Sequence, residues 1–169
     1  MAISLLLFEK KEQKTQNHDV AEHENISCET FSRRDVRSLI FHLLYAAEAF
    51  DYEESLPALV DNFNRGFDLD VSLDSDIVTT AQAIISSRQH LDKTYEPFLA
   101  NWRPERISII TKLILRFGTW ELLNTTTDPR IIINESIELT KCFAEDDAYK
   151  FVNGILDKVA KNVRAATVT

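Results

Sequence analysis

Arg33, Arg34 and Arg37 fall within little more than one helical turn, directly after a serine that can begin a helix. Guanidinium groups grouped this way can face one stretch of phosphates, and a helix N-terminus adds free amides and a positive macrodipole end. Phe41 and Tyr45 follow one and two turns later. Arginines interleaved with aromatics suit single-stranded RNA, whose splayed bases stack on rings and guanidinium planes. A plainer reading is also available, in which a solvated basic turn precedes aromatics that belong to the core.

Other polar residues could carry chemistry. Lys112 and Arg116 project from an otherwise apolar helix, and Arg116 is either paired with a carboxylate such as Glu121 or exposed to a ligand. Lys150 is free to reach a phosphate, whereas Phe151 beside it lies in an apolar stripe that favours packing. Asn134 and Glu135, with Asn153, invite a catalytic account, but amides at helix crossings more often satisfy each other or a loop backbone. His18, His23, His42 and His90 are split between the N-terminal tail and separate helices, so neither a metal cluster nor a general base with a paired nucleophile emerges. Cys28 and Cys142 are far apart and complete no metal-binding spacing, which leaves two free thiols. No catalytic residue, metal or cofactor is expected.

Helices must position these groups. Ser32 with Asp35 has the capping-box form, and Val36, Leu39, Ile40, Leu43, Leu44 and Ala47 make an inward stripe. A second helix is expected over 53–63, stopped by Asn64-Arg65-Gly66, and a third begins at Asp74 or Ser75 and ends around Pro97 to Asn101. Pro104 starts a segment that merges with, or briefly precedes, a hub helix over 107–123. The hub's apolar residues spread around nearly its whole circumference, so it must be surrounded. Asp128-Pro129 opens the next helix, which runs to about Phe143 with Ile133, Ile137 and the Leu139 side inward, and a last helix carries Phe151, Val152, Ile155, Leu156, Val159 and Val163. The count is six or seven helices with no confident strand. Gly154 interrupts the last helix and is most simply a small residue that lets two helices approach.

Composition agrees with an all-α class. Three Gly and four Pro in 169 residues are too few for the turns of an all-β protein, and a 44% hydrophobic content can fill a core. The formal net charge of −8 includes −3 from residues 1–31, a polar stretch expected to be a disordered extension before a domain over 32–165 and a tail over 166–169. The run Ala2 to Phe8 is short, lacks preceding basic residues and shows no cleavage pattern, so a secretory signal is disfavoured. No transmembrane stretch is expected, and a reduced, cytoplasmic setting follows.

Phe151-Val152-Asn153-Gly154-Ile155-Leu156-Asp157-Lys158 resembles the C-terminal signature of the NusB family of transcription antitermination factors. Ile133-Asn134-Glu135-Ser136-Ile137-Glu138-Leu139 resembles the family's Ile-Asn-Glu-Ala-Ile-Glu-Leu helix, and Leu115-Arg116 with Glu121-Leu122-Leu123 resembles its hub. The resemblance implies two packed helical bundles and a non-catalytic protein. It implies binding of boxA RNA in nascent transcripts, notably of ribosomal RNA operons, together with the ribosomal protein NusE and the RNA polymerase antitermination complex. Arg33, Arg34, Arg37, Tyr45, Lys112, Arg116, Lys150 and Phe151 become the RNA-contact candidates, and Glu105 and Arg106 the partner contacts. Some relatives dimerise, so a homodimer is a further expectation.

Three residues depart from the family pattern. Asp35 stands where many relatives carry a base, Ala144 replaces a Gly, and Ala148 replaces a common Ser. With the acidic total, these imply weak intrinsic RNA affinity reinforced by the partner's own basic surface. The competing reading is a protein-interaction module of the same fold without RNA contact. An enzyme is disfavoured, because no glycine-rich cofactor loop is present.

Overall fold

The computed structural model describes residues 26–27, 31–99 and 106–167. Its first helix, α1 (Arg33–Ala49), starts at the expected capping box. Asp35 N–H donates to Ser32 Oγ at 3.3 Å, and Ser32 N–H donates back to Asp35 Oδ2 at 2.9 Å. Asp35, read above as a charge that spoils the basic patch, therefore also holds the helix start.

Helix α2 (Leu56–Phe67) is capped by Ser55 and runs through Gly66 to Phe67, three residues beyond Asn64. It ends at Asp68, which adopts the left-handed conformation with φ of 55°, a region that Asp tolerates better than most residues. The expected stop at 64–66 is thus corrected. Asn64 explains the difference: its side chain donates to Val71 O at 3.0 Å and accepts from Val71 N–H at 2.9 Å, clasping the chain after it has turned. Within that clasp, β2 (Leu69–Asp70) pairs in parallel with β1 (Ile26–Ser27), a two-residue pairing where no strand was expected.

Ser75 caps α3 (Asp76–Tyr95), which tightens into a 3-10 turn over Glu96–Phe98. Ser108 caps α4 (Ile109–Asn124), the expected hub, while the Pro104 segment lies outside the described residues. Every residue from Leu113 to Thr119 is buried, and α4 packs against α1, α3, α5 and α6. It is the shared wall between α1–α3 on one side and α5–α6 on the other. Asp128 Oδ1 accepts from Arg130 N–H at 2.8 Å at the start of α5 (Pro129–Phe143), and α6 (Ala148–Thr167) follows Asp147, whose φ is 72°.

Two expectations about packing are corrected. On α5, Leu139 is buried as expected, but Ile132, Ser136 and Thr140 are buried with it while Ile133 and Ile137 are only half-buried, so the rest of the inward face is rotated by one position. The buried hydroxyls cost little because each donates one turn back, Ser136 to Ile132 O at 2.8 Å and Thr140 to Ser136 O at 2.7 Å. The close helix approach is made by Gly118 instead of Gly154. A Cβ on Gly118 would lie 2.7 Å from Leu156 Cδ1 and 2.9 Å from Ser136 Oγ, whereas one on Gly154 would meet nothing within 4 Å.

Candidate nucleic-acid interface

The three α1 arginines separate into two groups. Arg33 is exposed, and the Arg34 side chain is 66% exposed with Nη2 3.7 Å from Glu138 Oε2 on α5. Arg37 turns inward. Its side chain is only 12% exposed, its Nη1 pairs with Glu121 Oε1 on α4, and its guanidinium lies 5.0 Å from the Phe117 ring centroid. Burial pushes the Glu121 carboxyl above its ordinary range, and the Arg37 charge opposes that push. A guanidinium held this way is not available to a phosphate, so Arg37 is corrected from a ligand contact to an internal brace.

Arg116 is corrected in the same sense. It is buried, and its Nε and Nη2 donate to the two carboxylate oxygens of Asp92 at 2.7 and 2.8 Å. Its Nη1 donates to Glu48 Oε2 at 2.8 Å, so the residue joins α1, α3 and α4 without involving Glu121. Among the aromatics, Phe41 belongs to the core, stacked on Phe143 with ring centroids 4.9 Å apart, while Tyr45 is 44% exposed. Lys112 is half-buried on α4.

Surface cations instead form a ribbon across three helices. From Arg34 the path crosses Glu138 to Lys141 in the last turn of α5, whose Nζ donates to Glu138 Oε1 at 2.8 Å. Lys141 Nζ and Lys150 Nζ each lie 5.7 Å from the Tyr149 ring centroid, and Lys150 also pairs with Asp147 Oδ1 at 2.6 Å. The hydrogen bond from Lys141 holds the Glu138 carboxyl below its ordinary range, and those to Glu138 and Asp147 raise Lys141 and Lys150, so all are charged near neutral pH. Such solvent-screened pairs hold weakly, and a phosphate can displace the carboxylate.

Beside the ribbon, a cleft of about 520 Å³ opens between the start of α4 and the α5–α6 connection. Arg106, Ser108 and Thr111 line one side, and Asp146, Lys150 and Phe151 the other. The cleft thus brings together Lys150, Phe151 and Arg106, which were expected to serve different ligands. Phe151 is half-buried and packs against the core, and Glu105 lies outside the described residues. Asn134 and Asn153 are exposed, not buried at a crossing, and Glu135 is half-buried.

Sequence reasoning missed Lys141 and Tyr149. Lys141 carried one legible signal, a cation in the last turn of a helix, but its closeness to Tyr149 depends on how α5 turns into α6.

The profile of the NusB family matches residues 34–161. Transcription antitermination protein NusB of Macrococcus caseolyticus is 33% identical over 133 residues, which cover 79% of this chain and 96% of that protein. The Staphylococcus haemolyticus protein of the same name is 35% identical over 129 residues, covering 76% of this chain and 98% of its own. Among solved structures, NusB of T. maritima superposes with a TM-score of 0.67 at 30% identity, covering 78% of this chain and 92% of that one. A crystal structure of antitermination factors NusB and NusE in complex with dsRNA shares the fold, with a TM-score of 0.62 at 22% identity over 77% of this chain and 96% of that one.

Proposed function

This chain belongs to the NusB family, and from that premise we propose that it is a transcription antitermination factor that binds boxA RNA together with NusE. The RNA is the boxA segment of nascent transcripts, notably of ribosomal RNA operons, and the complex acts on RNA polymerase in the cytoplasm. The observation that carries the reading is the ribbon of Arg34, Lys141 and Lys150, continued by the exposed Arg33, on a molecule whose net charge is −8. An acidic protein needs such local concentration to hold a phosphate backbone, because overall charge repels it. The activity is recruitment, in which cations position the backbone and the adjoining cleft takes a partner side chain or a base.

Acids thread the same ribbon, and this favours a shared site over a self-sufficient one. Glu138 and Asp147 must release their lysines to RNA, which lowers intrinsic affinity and leaves room for the partner to contribute. A gel-shift titration with boxA RNA, with and without NusE, tests this. Binding that tightens when NusE is added supports the reading. Co-purification with NusE but no RNA shift under any condition would instead favour the protein-interaction module, whose supporting observation is the same interleaving of acids.

A further inference from the structure

Tyr149 is placed unlike the other aromatics of its neighbourhood. Phe151, two residues on, packs against the hydrophobic core, and Phe143, six residues before, stacks on Phe41. Tyr149 is half-buried in the first turn of α6, outside that core, with the ammonium groups of Lys141 and Lys150 each 5.7 Å from its ring centroid. A ring beside two cations attracts them through its π-density, and each cation is paired with a surface carboxylate, Glu138 or Asp147, that a phosphate can replace. Stacking on a ring needs an unpaired base, because in a duplex each base face is already covered by its neighbours.

We propose that Tyr149 is a stacking platform for one unpaired base, with Lys141 and Lys150 holding the phosphates around that nucleotide. This deepens the RNA-binding reading and rests on it: it assigns the ribbon to single-stranded RNA and names the residue that makes the distinction. Arg34 continues the phosphate track along α1. The tyrosine reads exposure of a base face, not its hydrogen-bonding edge, so the preference is for strandedness and only weakly for sequence.

The test uses the full chain, a single-stranded boxA RNA, the same RNA annealed into a duplex, and single-stranded copies carrying one abasic nucleotide at successive positions. Wild-type protein is expected to prefer the single strand to the duplex, and one abasic position is expected to weaken it on the order of tenfold. Tyr149→Ala should lose a similar factor on intact single strand, show no further loss at that abasic position, and bind duplex as wild type does. Tyr149→Phe should keep the wild-type pattern. If Tyr149→Ala binds every RNA as wild type does, or loses single strand and duplex equally, the proposal is overturned while RNA binding stands. If wild-type protein binds none of the RNAs, with or without NusE, the underlying reading fails, and this one with it.

Discussion

Arg37 on α1 donates to Glu121 on α4 and lies against Phe117 one helical turn away from it, so an arginine that belongs by sequence to a surface trio works inside the fold. Two further guanidinium nitrogens of Arg37 and one oxygen of Glu121 are buried without a hydrogen-bond partner, so their charges are balanced chiefly by each other. Removing one member strands the other charge. Arg37→Ala is therefore expected to destabilise the fold by about 3 kcal/mol, and Arg37→Met combined with Glu121→Leu to recover most of that loss. Chemical denaturation of the two single variants and the double variant measures it. Arg33→Ala, at an exposed position, should move the denaturation midpoint little.

Arg116 ties three helices through Asp92 and Glu48, and its Nη1 also donates to Tyr52 Oη at 3.0 Å. Burial by itself would lower its pKa, but the Asp92 hydrogen bonds raise it, so it stays charged. Tyr52 follows Asp51 in a turn where both have positive φ, of 60° and 50°, and Arg88 covers its ring at 4.3 Å. Its phenol is pushed up to about 12, by burial first and then by its bond to Glu48. Arg116→Leu leaves two carboxylates facing each other and frees this strained turn. The expected cost is about 3–5 kcal/mol, checked by urea unfolding at pH 7.

Gly118 and Gly154 give opposite expectations for the same substitution. Gly118→Ala gains helix propensity but drives a methyl group into Leu156 and Ser136, and the overpacking should win by roughly 1–2 kcal/mol. Gly154→Ala meets open space and should stabilise by about 0.5–1 kcal/mol. Thermal melts of both variants distinguish the two cases.

His42 sits against Phe143 at 5.0 Å between ring centroids, and its Nδ1 is 2.6 Å from Ser38 O. Burial lowers its pKa from 6.5 to about 4, so the folded state keeps the ring neutral where the unfolded state takes a proton. Its share of stability is complete above pH 6.5 and is lost as the pH falls toward 4, a change of roughly 3 kcal/mol across that window. His42→Asn does not titrate there. The stability gap between wild type and this variant, measured by urea unfolding, should narrow by that amount between pH 7 and pH 4.

The elements were legible where one local interaction decides them. Ser32 with Asp35, Ser75, and Asp128 with Pro129 each mark a helix start through groups only a few residues apart, and the all-round apolar surface of α4 declares that it is enclosed. The site was legible only in part, because distant partners decide it. Arg33 and Arg37 look equivalent in one helical turn until Glu121 arrives from 84 residues away. Gly154, inside the recognisable signature, drew attention that belonged to Gly118, whose importance depends on Leu156 and Ser136 on two other helices. Lys141 and Tyr149 meet only because Ala144 to Asp147 reverse the chain, and no helical period encodes that meeting.

On the proposed reading, a few exposed cations, and not the whole arginine trio, grip a phosphate backbone. The most direct measurement is the salt dependence of boxA RNA binding for wild type and for the Arg33→Gln, Arg34→Gln double variant. Four contacts, from Arg33, Arg34, Lys141 and Lys150, give a slope of log K against log salt of roughly −3 for a single strand, and the double variant should be shallower by roughly 1.4. Identical slopes for the two proteins, or affinity that does not change with salt, would contradict the account.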